Sequence, residues 1–138
     1  MTWSVSSAYF LTLLAHGTML EMAVSDMNEY VMASLPLTDW TKSEYTNMET
    51  SLMTALILGI IFCLIEIILL IFQLHTSKKI IFLMSLHLLA TIFLLKFIVD
   101  SHPVYHFWIV FGVFSVPALL IAFLNVLILM RFNFKEHC

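Results

Sequence analysis

The stretch from Ser51 to Leu74, SLMTALILGIIFCLIEIILLIFQL, constrains the fold of this chain most strongly. A helix needs about 20 apolar residues to cross the roughly 30 Å hydrocarbon core of a bilayer, and this stretch is long enough. Its one charged residue is Glu66. Because a carboxylate in hydrocarbon costs at least about 2.5 kcal/mol, Glu66 is predicted to face other protein, to share a proton or to mark a site.

Composition extends the membrane interpretation to the whole chain. Of its 138 residues, 62% are hydrophobic and 11% are charged, whereas about 25% are charged in an average soluble domain. The chain is therefore predicted to be an integral membrane protein in contact with the lipid bilayer. Its net charge of −3 argues against a nucleic-acid partner, which needs a clustered basic surface. The two cysteines, Cys63 and Cys138, define no disulfide framework.

Four apolar segments predict an all-α, polytopic integral membrane protein with a single membrane domain over residues 1–138. The predicted fold is a bundle of four transmembrane helices with one extracytoplasmic loop at residues 25–50. The helices are expected at about residues 8–24, 51–74, 80–99 and 105–130. The first is the weakest, since His16 and Glu21 interrupt it. A cleaved signal peptide is its alternative, but no Lys or Arg precedes the apolar run, so a retained helix is preferred.

The segment 25–50 is polar and acidic. Within it, residues 41–44 (TKSE) match a capping box, which predicts that the second helix starts about ten residues before the membrane. Lys78, Lys79 and Arg131 fall on the other side of this four-helix arrangement. Because basic residues concentrate on the cytoplasmic side, both termini are predicted to be cytoplasmic.

Polar and small residues within the spans recur on particular helix faces. The second helix has a stripe of small and polar residues at helical spacing, which is predicted to face protein. It consists of Gly59, Cys63, Glu66 and Gln73. In the fourth helix Pro117 removes a backbone donor and is predicted to kink the helix. That helix also has a stripe of small and polar residues, of the kind that lets helices approach closely. The stripe consists of Gly112, Ser115, Ala118, Ala122 and Asn125.

Glu66 and His87 are predicted to lie at similar depth. A turn near Ser77 joins the second and third helices, and the two residues are about equally far from it at 1.5 Å rise per residue. A Glu66–His87 hydrogen bond is therefore expected, and its simplest role is to hold the helices together as a charged or neutral pair. Two other roles stay open, a proton relay and haem ligation by His16 and His87.

Motifs that carry known chemistry are missing from the sequence. It has no His-Glu-x-x-His, no glycine-rich phosphate loop, no Cys-x-x-Cys and no Gly-x-Ser-x-Gly. The chain is therefore predicted not to be an enzyme. It is expected to have no catalytic residues, no metal site, no cofactor and no small-molecule substrate.

Several residues of the chain resemble the transmembrane protein 107 family of small four-span proteins. The most specific are the heptapeptide FLTLLAH at residues 10–16 and the tetrapeptide LPLT at residues 35–38. Glu66, His87 and the SVPA sequence at residues 115–118 occupy similar places. The resemblance covers nearly the whole length of the chain.

This resemblance implies a non-enzymatic scaffold in the membrane of the ciliary transition zone. Such a protein supports assembly of the Meckel-syndrome protein module, cilium formation and control of ciliary membrane composition. The implied partners are other transition-zone membrane proteins and membrane-associated proteins. The residues by themselves leave an alternative, a small transporter or channel subunit in which Glu66, His87 and His16 line a proton path.

Overall fold

The structure is a computed structural model that describes residues 2–72 and 77–136. Outside the described residues lie residues 73–74 at the predicted end of the second helix, residues 75–76 of the predicted turn, and Cys138. All regular elements in the described part are helical. They are α1 (Thr2–Ser25), α2 (Met27–Ser34), α3 (Lys42–Ile71), α4 (Ser77–Val99), α5 (Val104–Val110), a π-helical turn (Phe111–Ser115) and α6 (Val116–Glu136).

The apolar segments form the long helices, as expected for an all-α polytopic membrane protein. Within the described ranges, three helical segments are long and apolar enough to cross a membrane: Lys42–Ile71, Lys78–Val99 and Val104–Ile128. Helix α1 forms over the first predicted span, and its 24 residues give a length of about 36 Å. It is less apolar than the other three because His16 and Glu21 interrupt it. It packs mainly against α4 and α3.

The polar segment at residues 25–50 is more regular than a loop. It contains α2, whose Tyr30 and Val31 are buried, and the first turns of α3. The capping box at residues 41–44 is confirmed, since the Thr41 side chain accepts from the Glu44 N–H and the Glu44 side chain accepts from the Thr41 N–H. We call α2, the connections 35–41 and 100–103, the start of α3 at residues 42–51, and α5 the loop-end cap. The opposite end of the bundle is the turn end.

Pro117 acts on the helix before it. The fourth predicted span is a continuous helix with a π-helical turn at Phe111–Ser115, where the Val116 N–H bonds to the carbonyl of Phe111 five residues back. Since Pro117 has no N–H and its ring clashes with a carbonyl four residues earlier, the helix widens by one residue there. The extra residue turns Phe111 inward and leaves Gly112 exposed. The expectation that Gly112 belongs to the inward stripe is therefore wrong.

The other described members of both stripes are buried, and Gln73 lies outside the described residues. Gly59, Cys63 and Glu66 of α3 face the bundle, as do Ser115, Ala118, Ala122 and Asn125 of the fourth span. The buried apolar side chains form two clusters. One, near the loop end, includes Leu20, Leu52, Leu56, Phe97 and Phe107. The other, near the turn end, includes Leu13, Leu70, Ile80, Leu83 and Ala118.

Candidate functional site

Three helices bring polar side chains together inside the bundle. Helix α1 supplies Tyr9 and His16, which are seven residues apart and so share a face. Helix α3 supplies Cys63 and Glu66, and α4 supplies His87. All five side chains are buried, with exposed fractions of 0% for Glu66 and 2% for both histidines. We call these five residues the central polar cluster.

Glu66 joins two neighbouring helices through one carboxylate oxygen. Its Oε2 accepts a hydrogen bond from the Tyr9 hydroxyl of α1 and lies 2.8 Å from Nε2 of His87 on α4. An ionised Oε2 fits both contacts if Nε2 carries the imidazole hydrogen. The predicted Glu66–His87 pair is thus in contact, and Tyr9 extends it to a third helix. Such a network is strong in a low-dielectric interior, provided that its groups are paired.

His16 packs against the His87 ring. The two imidazole centroids are 5.3 Å apart in an edge-to-face arrangement. Nδ1 of His16 is 3.4 Å from the Thr91 hydroxyl, and that hydroxyl donates to the His87 carbonyl at 2.7 Å. His16 and His87 are therefore neighbours at one depth, held by residues of α4.

Two buried atoms of the cluster have no hydrogen-bond partner among the described residues. They are Oε1 of Glu66 and Nδ1 of His87. Each unsatisfied buried polar group costs about 1–3 kcal/mol, so unpaired atoms in a native site need a physical explanation. The ligand atoms of His16, Cys63 and His87 also lie within 4.8 Å of one another. This group is the part of the site with the chemistry to hold a metal ion.

Asn125 and Pro117 lie apart from the central polar cluster. Asn125 is buried, and its Oδ1 accepts a hydrogen bond from the Lys79 ammonium of α4 near the turn end. The contact ties α4 to α6 and lets the lysine stem cover apolar surface. Pro117 shapes the π-helical turn described above. Of the five predicted polar or packing residues, His16, Glu66 and His87 therefore lie together in the central polar cluster. Asn125 and Pro117 lie elsewhere in the bundle.

Comparison with known proteins places the chain in a family. The model of the TMEM107 family, described as a transmembrane protein, matches residues 5–126. The chain belongs to the TMEM107 family. No curated protein and no solved structure matches it. The matched residues of this TMEM107-family chain include the whole central polar cluster, the π-helical turn and Asn125.

Two residues of the cluster were not among the predicted site residues. Tyr9 is part of a weak apolar span, where a tyrosine is typical of packing. Its seven-residue spacing from His16 is the signal that places it on the inward face. Cys63 was assigned to the α3 stripe, but a single cysteine in an apolar helix normally packs as a small apolar side chain. Only the approach of α1 and α4 places two imidazoles beside its sulfur.

The loop-end cap has polar contacts of a different kind, nearer to the surface. Tyr45 donates to Asn28 at 2.9 Å, Trp108 donates to Ser51 at 3.0 Å, and the Val104 N–H donates to the Ser34 hydroxyl at 2.7 Å. These bonds tie α2 and α5 to α3 or to each other. They position the end of the bundle and bring no second group of metal-ligating side chains to it among the described residues.

Proposed function

We propose that this chain is a non-enzymatic scaffold in the membrane of the ciliary transition zone. In this proposal it supports assembly of the Meckel-syndrome protein module, and through it cilium formation and control of ciliary membrane composition. Membership of the TMEM107 family over residues 5–126 is the observation that carries the proposal. The partners are other membrane proteins and membrane-associated proteins of the transition zone.

The distribution of side chains supports a role in membrane assembly. Polar residues of the spans, such as Glu66, His87 and Asn125, point into the bundle. The outward surface is formed by large apolar side chains, including Ile61, Leu88 and Phe123. A protein with this surface meets its partners through helix faces in the bilayer and through the loop-end cap, which suits a scaffold.

The competing function is a small transporter or channel subunit with a proton path through Glu66, His87 and His16. The contacts among these residues favour it, because a chain of carboxylate and imidazole groups is typical of proton relays in membranes. Their burial favours the scaffold, since groups exposed by 0–2% line no wet path in this conformation. The two functions differ in what the Glu66 carboxylate does.

Localisation and flux separate the two functions. In ciliated cells, the tagged chain is expected at the base of the cilium, and proximity labelling is expected to recover transition-zone membrane proteins. Glu66→Gln preserves the side-chain shape, so it is expected to retain this localisation. Glu21→Gln, at an exposed carboxylate of α1, is the matched control. A chain spread through the endoplasmic reticulum, with proton flux in vesicles that Glu66→Gln but not Glu21→Gln abolishes, would favour the transporter.

We also propose that both termini are cytoplasmic, because Lys78, Lys79 and Arg131 fall on one side of the four-helix arrangement. Antibodies are then expected to reach a tag at either end only after the plasma membrane is permeabilised. Staining of an N-terminal tag in intact cells would reverse the orientation.

A further inference from the structure

The sulfur and imidazole groups of the central polar cluster form a ligand set that packing alone does not explain. His16 of α1, Cys63 of α3 and His87 of α4 come from three different helices, yet their ligand atoms lie within 4.8 Å of one another. All three residues are buried. Zinc ligands at bond lengths of about 2.0–2.3 Å are roughly 3.3–3.8 Å apart, so side-chain shifts on the order of 1 Å would close the site.

His87 has the bonding pattern of a metal-bound histidine. A histidine that ligates a metal through one ring nitrogen normally donates its other N–H to a carboxylate or a carbonyl, which fixes its tautomer. In this protein Nε2 of His87 lies 2.8 Å from Oε2 of Glu66, while the buried Nδ1 has no partner among the described residues. If Nε2 carries the hydrogen, Nδ1 presents a lone pair. The unsatisfied nitrogen and the carboxylate contact are then both explained by a cation at Nδ1.

The ligand types select the class of metal. A thiolate favours zinc or copper over magnesium, calcium and manganese, and imidazole also suits zinc and copper. Charge balance also favours such a metal, because an uncompensated charge inside a membrane costs free energy. The two positive charges of Zn²⁺ are balanced by the Cys63 thiolate and the Glu66 carboxylate. Such a site therefore places no net charge in the apolar interior.

We propose that His16, Cys63 and His87 bind one thiophilic transition-metal ion, zinc or copper, and that Glu66 orients His87 as a positioning residue. The bound ion links α1, α3 and α4 at the level between the two apolar clusters. The bond between the metal and His16 attaches α1 to α3 and α4. This attachment matters because α1 is the least apolar of the long helices. This proposal does not rest on the ciliary function and is tested separately from it.

The first test measures metal content and affinity. The full chain is purified in detergent with a tag that contains no histidine, and its zinc and copper are measured by mass spectrometry before and after dialysis against each metal. We expect about one zinc or copper ion per chain. Cys63→Ser and His16→Asn are expected to lose the ion. Glu66→Gln is expected to weaken metal affinity about 10–100-fold, the usual effect of removing a partner of a ligating histidine.

His102→Asn is the matched control, because His102 pairs with His106 and Asp100 in the loop-end cap and lies away from the cluster. Its metal content is expected to equal that of the unaltered chain. Circular dichroism and size-exclusion chromatography of each variant confirm that it is folded. The proposal would be overturned if His102→Asn removed the bound metal and Cys63→Ser did not. It would also be overturned if the unaltered chain took up neither zinc nor copper on dialysis.

Spectroscopy tests the ligands without a variant. Cobalt substituted for the native ion is expected to show a thiolate-to-metal charge-transfer band. X-ray absorption of the zinc form is expected to contain one sulfur at about 2.3 Å and nitrogen at about 2.0–2.1 Å. A metal with oxygen and nitrogen neighbours only would contradict ligation by Cys63 and refute the proposed site.

Discussion

The central polar cluster and the loop-end cap both join helices through polar side chains, but they do so in opposite environments. Glu66 and His87 are closed off inside the bundle, with exposed fractions of 0% and 2%. In the cap, Thr41 and Glu44 are exposed. Water replaces a lost hydrogen bond at the surface, whereas a buried group that loses its partner keeps the full cost of its desolvation. The same kind of bond is therefore expected to matter more in the cluster than in the cap.

The largest expected effect comes from removing the shared carboxylate. Glu66→Ala leaves the Tyr9 hydroxyl and the His87 imidazole without their acceptor and opens a cavity between α1 and α4. We expect a loss of about 2–4 kcal/mol in the free energy of unfolding, measured by denaturation in detergent. A loss well below about 1 kcal/mol would mean that the cluster tolerates missing partners as the surface does.

A double-mutant cycle sharpens this prediction. Glu66→Ala and His87→Ala together should cost less than the sum of their separate losses, because the second truncation removes a contact that is already gone. Hydrogen bonds between membrane helices average about 0.6 kcal/mol in such cycles, with an upper value of about 1.7 kcal/mol. Strict additivity would show that the pair at 2.8 Å contributes no coupling.

An intermediate effect is expected where α3 packs against α1 at Gly59. A Cβ at Gly59 would lie 3.2 Å from Leu20, whereas one at Gly17 has nothing within 4 Å. Gly59→Leu therefore forces α1 and α3 apart next to the cluster and should cost about 1–3 kcal/mol. Gly17→Leu is the matched control, and it should change the free energy of unfolding by no more than about 0.5 kcal/mol. Equal effects of the two variants would contradict this packing of α1 on α3.

The smallest effect on the free energy of unfolding is expected in the loop-end cap. Thr41→Ala removes the side-chain oxygen that accepts from the Glu44 N–H at 3.3 Å. Loss of such a helix N-cap costs about 1 kcal/mol. The change should appear as faster amide hydrogen exchange in the first turn of α3, with little change at the cluster. Faster exchange around His87 would show that the cap and the cluster are coupled.

Low pH should weaken the N-cap of α3. The Thr41 N–H and hydroxyl hold the pKa of the Glu44 carboxyl below its usual value of 4.5. A carboxyl with a lowered folded pKa stabilises the fold above its unfolded pKa and loses that contribution as the pH falls through the folded value. Exchange in the first turn of α3 is therefore expected to accelerate below about pH 4.5, beyond the intrinsic pH dependence. In Glu44→Gln this acid-induced step should be absent.

Much of the bundle was predictable because local rules decide it. The long apolar run with one carboxylate predicts a membrane helix that turns Glu66 inward, and the capping box at residues 41–44 marks the start of α3. The inward position of Phe111 was not predictable from spacing alone. A π-helical turn shifts the helical phase by one residue, and its position depends on how the chain before Pro117 packs against α4.

The sequence by itself determined that this protein is an all-α membrane protein, since apolar length and a low fraction of charged residues leave few other structures for the chain. It also determined that Glu66 and His87 lie at similar depth, because one short turn joins their helices. Tertiary structure decided that Tyr9, His16 and Cys63 join them. Contacts between residues 9, 63 and 87 depend on the rotation and approach of whole helices, and these are set by the packing of many side chains rather than by any local pattern.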